Sequence, residues 1–85
     1  MSKLQVVGSH TCKDTLYAMN VLTSKGVDFD FVGISSNLTD LKVYLRIRDS
    51  HPELYDAVRA NGGVGIPAFV LADGTVTMDM EKALA

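Results

Sequence analysis

The chain has 85 residues and a formal net charge of −2, and its apolar fraction of 47% is enough for one compact core. One domain spanning 1–85 is expected, with no basic surface for nucleic acid and no one-sign run that would mark a tail. The single cysteine excludes an internal disulfide and a cysteine-rich zinc site, so no metal is expected.

No apolar signal-peptide core opens the sequence, and the apolar runs fall far short of the ~20 residues of a membrane helix. A cytoplasmic protein with no membrane partner and a reduced thiol is the expectation.

Leu4-Gln5-Val6-Val7 is a short apolar run stopped by Gly8 and Ser9, which reads as a buried strand. From 13 to 25 the apolar positions Leu16, Met19 and Leu22 recur at helical spacing, flanked by Tyr17 and Val21. Gly26 follows as the residue that ends the helix. Val27-Asp28-Phe29-Asp30-Phe31 alternates strictly, as a half-exposed edge strand does. Two strands joined by a helix pair in parallel.

Ser35, Ser36 and Asn37 offer caps for a second helix, whose inner positions read as Leu38, Leu41, Leu45 and the stem of Arg48, with Tyr44 and Ile47 alongside. Pro52 and Glu53 restart a helix that draws its contacts from Leu54, Tyr55, Ala57 and Val58 and ends at Asn61-Gly62-Gly63. A strand is predicted over 68–71. Asp73-Gly74 is a two-residue hairpin turn signal, 75–78 returns antiparallel, and Asp79 caps a last short helix.

Cys12 falls where the first helix begins. There, unpaired N–H groups and the positive end of the helix dipole favour thiolate over thiol. Its neighbours Ser9, His10, Thr11, Lys13 and Asp14 are all polar, as in an exposed loop and not around a buried structural thiol. Lys13 pushes the thiol pKa down and the Asp14 carboxylate pushes it up.

Thr15 shares a helix face with Cys12, and its hydroxyl has two uses: donation to the sulfur, or a bond to a carbonyl of its own helix. His10, two residues before Cys12, has two readings, a partner for the thiol or a solvated side chain, of which the second is expected; His51 is expected to act as a turn or cap residue. Pro67, read from the chain alone, is an ordinary proline at a strand start.

Over nearly its whole length the chain resembles the glutaredoxins, and within them a group of small bacterial glutaredoxin-related proteins. Cys12 stands at the first active-site cysteine, Ala18 at the small residue of the following helix, and Ile66-Pro67 at the Val-Pro that faces the sulfur. Leu41-Lys42-Val43-Tyr44-Leu45-Arg46-Ile47-Arg48-Asp49, Gly65-Ile66-Pro67 and Asp73-Gly74-Thr75-Val76-Thr77 carry the closer match.

The resemblance implies a thioredoxin-like α/β fold, β-α-β-α-α-β-β-α, with a central four-stranded mixed sheet and helices on both faces. It also implies a cis Ile66-Pro67 bond. It implies a monomeric monothiol oxidoreductase of cell redox homeostasis, with Cys12 and Thr15 catalytic. Glutathione would be its co-substrate, free or on a glutathionylated protein, bound by Ile66, Pro67 and Lys13.

Three departures set this chain apart. Thr15 replaces the second cysteine, which excludes a dithiol cycle; Ser9 replaces a basic residue; and the Gly-Gly-x-Asp-Asp that holds the glutathione amino end is absent. The alternatives are a binding module of the same fold without a redox cycle and an iron–sulfur carrier. The absence of Gly-Phe-Ser after the cysteine speaks against the carrier.

Overall fold

The computed structural model describes residues 3–84. The elements in order are β1 (Leu4–Gly8), α1 (Lys13–Ser24), β2 (Phe29–Gly33), α2 (Leu38–Ser50), α3 (Pro52–Ala60), β3 (Ala68–Val70), β4 (Val76–Thr77) and α4 (Met80–Leu84). This is an α/β protein with one four-stranded mixed sheet in the order β2-β1-β3-β4. β1 and β2 run parallel, from Leu4 opposite Phe29 to Gly8 opposite Gly33; β3 is antiparallel to β1, and β4 to β3.

Strand alternation sends residues to two cores, one on each face of the sheet. Leu4, Val6 and Phe69 meet Ala18 and Leu22 of α1, with Met80 and Leu84 of α4 alongside. Val7, Val32 and Ala68 meet Tyr44 of α2 and Tyr55 of α3.

Local signals account for the helix ends. Asn37 caps α2, its side chain accepting the Asp40 N–H at 2.8 Å. Pro52 opens α3, and Asp79 accepts the Glu81 N–H at 3.0 Å ahead of α4. Gly26 takes φ +71° just past α1, a conformation open to glycine at no steric cost.

The buried stripe of α1 differs from the expected Leu16-Met19-Leu22. It is Thr15, Ala18 and Leu22, while Leu16 and Tyr17 are exposed by 40% and 63%. The cause is close approach: a Cβ at Gly8 would run into the Thr15 side chain, so only small residues fit where α1 crosses β1. Leu38 is 65% exposed at the first position of α2, and Tyr44 is the buried residue of that helix. In α3 only Tyr55 is buried, and Ala57 lies outside.

β2 begins two residues later than predicted because its pairing with β1 starts where Leu4 meets Phe29 and runs on to Gly33; Asp28, just before it, and Asp30 within it are exposed. The last hairpin has three loop residues and not two. Val70 faces Val76, the Leu71 N–H donates to the Thr75 carbonyl at 2.8 Å, and Gly74 closes the loop at φ +91°. This is the pattern of a type I turn followed by a glycine bulge.

Candidate functional site

Three segments meet at one end of the sheet. β1 and β2 finish there side by side at Gly8 and Gly33, so the loops that follow both leave from that end. β3 starts there, since Ala68 lies opposite Val7 one residue before β1 ends. Ile66 and Pro67 therefore lead into the sheet beside the loop that carries Cys12. In open α/β sheets, the crevice beyond the carboxyl ends of parallel strands is where ligands bind.

Cys12 is the N-cap of α1, in extended backbone (φ −100°, ψ 116°), with a half-buried side chain. Its N–H donates to the Ser9 carbonyl at 3.0 Å, and its carbonyl accepts the Leu16 N–H at 3.1 Å. The sulfur makes no side-chain capping bond. Even so, the Thr15 hydroxyl first, and then the Thr15 N–H, hold the thiol below its ordinary value of 9.0. The Asp14 N–H adds to this; partial burial and the Asp14 carboxylate oppose it.

Thr15 is fully buried, and its Oγ1 accepts the Ser9 N–H at 3.4 Å, a long bond. That use was not among the two the sequence offered. With a lone pair engaged by Ser9, the hydroxyl proton is free for the sulfur. Lys13 is exposed at the first helical position, and Ile66 and Pro67 are half-buried. The Ile66-Pro67 bond is cis. The structure thus brings Cys12, Lys13 and Thr15 together on one turn and sets Ile66 and Pro67 at the same end of the sheet. His10 is exposed and packs edge-on against Phe31, ring centroids 4.6 Å apart.

Two further residues belong here. Ser9 is 5% exposed, and its Oγ lies 2.6 Å from Ser35 Oγ and 2.8 Å from Thr11 Oγ1. The signal for them was present but faint: each hydroxyl follows closely on the glycine that ends a parallel strand, Gly8 or Gly33.

Four large apolar side chains lie open to solvent near this end. They are Leu16 and Tyr17 just after Cys12, Leu38 just after the Ser35 loop, and Val64 just before Gly65. Clefts of about 260 and 340 Å³ lie elsewhere. One is under the second half of α2 by Val43 and Ile47, the other by Leu71 and Lys82, and neither is lined by Cys12 or Pro67. The thiol is presented on the surface, outside both clefts. No described helix is long and apolar enough to cross a membrane.

The fold and site define a small α/β protein that presents one thiol at the start of its first helix. No family model and no solved structure matches the chain. An uncharacterized protein of Haemophilus influenzae is 43% identical to it over 82 residues, 96% of this chain and 94% of that one. The chain belongs to the same family as that protein.

Proposed function

We propose that the protein is a glutaredoxin-like monothiol oxidoreductase of thioredoxin-like fold that acts through Cys12 on glutathione mixed disulfides in the cytoplasm. The observation that carries this is the setting of Cys12: half-buried at the N-cap of α1, its thiol held low by Thr15. Thiolate, not thiol, is the attacking form. The place of Ile66 and Pro67 at the same end of the sheet, and the resemblance in sequence, support glutathione as the partner.

The Cys12 thiolate attacks the glutathione sulfur of a mixed disulfide. A Cys12–glutathione disulfide forms, and the bond to the substrate sulfur breaks, leaving a thiolate that takes a proton from water. A second glutathione thiolate then attacks the glutathione sulfur on Cys12. Oxidised glutathione leaves, and the Cys12 thiolate is restored. No metal takes part. The Ile66 main chain pairs with the extended tripeptide, Pro67 packs beside it, and Lys13 attracts a carboxylate.

A second reading, a binding module with no redox cycle, draws on the exposed Leu16, Tyr17, Leu38 and Val64. Glutathione-dependent reduction of a small glutathione mixed disulfide separates the two. The expected result is turnover above the uncatalysed rate that disappears in Cys12→Ser. Equal rates for the two proteins would replace the enzyme with the binding module.

A further inference from the structure

We propose that Ser9 is the positioning residue of the thiol site, its buried hydroxyl tying the loop that carries Cys12 to the loop after β2 through Ser35. This rests on the reading of Cys12 as the reacting sulfur.

A buried hydroxyl needs partners, and Ser9 has a full set. Its Oγ accepts the Thr11 N–H at 3.2 Å and lies within hydrogen-bond distance of both Thr11 Oγ1 and Ser35 Oγ. A hydroxyl has one proton and two lone pairs. The N–H occupies one lone pair, so one neighbouring hydroxyl donates to Ser9 and the other accepts from it. Either assignment leaves Ser9 saturated and its orientation set.

The backbone of Ser9 acts on the same site. Its carbonyl accepts the Cys12 N–H at 3.0 Å, and its N–H donates to Thr15 Oγ1, the hydroxyl that acts on the sulfur. Ser9 therefore touches Thr11, Cys12, Thr15 and Ser35. A movement of Ser9 displaces the Cys12 backbone and the Thr15 hydroxyl together. Ser35 holds Ser9 from another element, the loop between β2 and α2, and its own residue is exposed. Removing the Ser35 hydroxyl alters nothing within the 9–12 turn except its anchor.

The test is the pH profile of Cys12 alkylation by iodoacetamide in the full chain, with no glutathione present. Ser9→Ala and Ser35→Ala should both move the midpoint upward, with a matching loss of rate at pH 7. The double variant should go no further than Ser9→Ala, since both changes break one link. Ser35→Thr, which keeps the hydroxyl, should retain the wild-type midpoint. An unchanged midpoint in Ser35→Ala overturns the proposal, and because Ser35 is exposed that result stands even if Ser9→Ala fails to fold. Variants with unshifted midpoints in an active enzyme sink the role of Ser9 alone. Shifted midpoints in the variants, beside a wild type that shows no glutathione turnover, sink the enzyme reading alone.

Discussion

Replacing Thr15 with valine keeps most of the side-chain shape at a fully buried position and removes one hydroxyl. Thr15 is the largest influence holding the Cys12 thiol down, so Thr15→Val should raise the midpoint of thiol alkylation and slow alkylation at neutral pH. The Ser9 N–H also loses its acceptor. A buried donor left unpaired costs about 1–3 kcal/mol, and a bond this long falls toward the lower figure. Urea unfolding would read that loss, and a midpoint that stays put would show that the hydroxyl serves only the fold.

The same thiol links stability to pH. Its folded value lies below the ordinary 9.0. Under the folded value both states hold the proton and Cys12 adds nothing. Between the two values the folded chain has released the proton and the unfolded chain has not, so stability rises with pH; above the ordinary value the contribution is complete. The stability of wild type relative to Cys12→Ser, measured by anaerobic urea unfolding, should therefore grow as the pH rises toward the ordinary thiol value of 9.0 and level off above it. A flat difference would contradict the lowered thiol.

At the scale of elements, the contact of α1 with β1 sets where the thiol stands. α1 buries Thr15, Ala18 and Leu22, and the absence of a Cβ at Gly8 lets Thr15 approach the strand. Gly8→Ala would force the first turn of α1 away from the sheet and take Cys12 with it. Overpacking of this kind costs typically about 1–3 kcal/mol. Both the denaturation midpoint and the Cys12 alkylation rate should fall in this variant. Loss of stability with an unchanged alkylation profile would mean that the first turn absorbs the methyl without moving the sulfur.

Across the whole molecule, two thin cores flank one sheet. A chain of this size buries only about 60% of its unfolded surface, so a single buried polar group weighs heavily. The Tyr55 ring is fully buried against Tyr44, with centroids 6.3 Å apart, and a Cβ at Gly65 would come within 2.8 Å of it. Tyr44 donates its hydroxyl to the Val64 carbonyl, but the Tyr55 hydroxyl has no partner among the described residues. Burial, and then Tyr44, push the Tyr55 pKa up. Because an unpaired buried hydroxyl costs about 1–3 kcal/mol, Tyr55→Phe should leave the protein as stable as wild type or raise its urea midpoint. A clear drop in midpoint would show that the hydroxyl is hydrogen-bonded in solution.

The element order, the parallel pairing of β1 with β2, the cap at Asn37, Pro52 at the start of α3, and Cys12 at a helix start were legible in the sequence alone. Each is written in residues a few positions apart, where periodicity and capping chemistry act. The buried face of α1, the three-residue hairpin loop, the exposure of Leu38 and the link between Ser9 and Ser35 were decided by the tertiary structure. Apolar spacing marks a helical face without saying how near the next strand will come. It was the missing Cβ of Gly8 that turned Thr15 inward in place of Leu16. The bond from Ser9 to Ser35 spans 26 positions and exists only because two parallel strands end side by side.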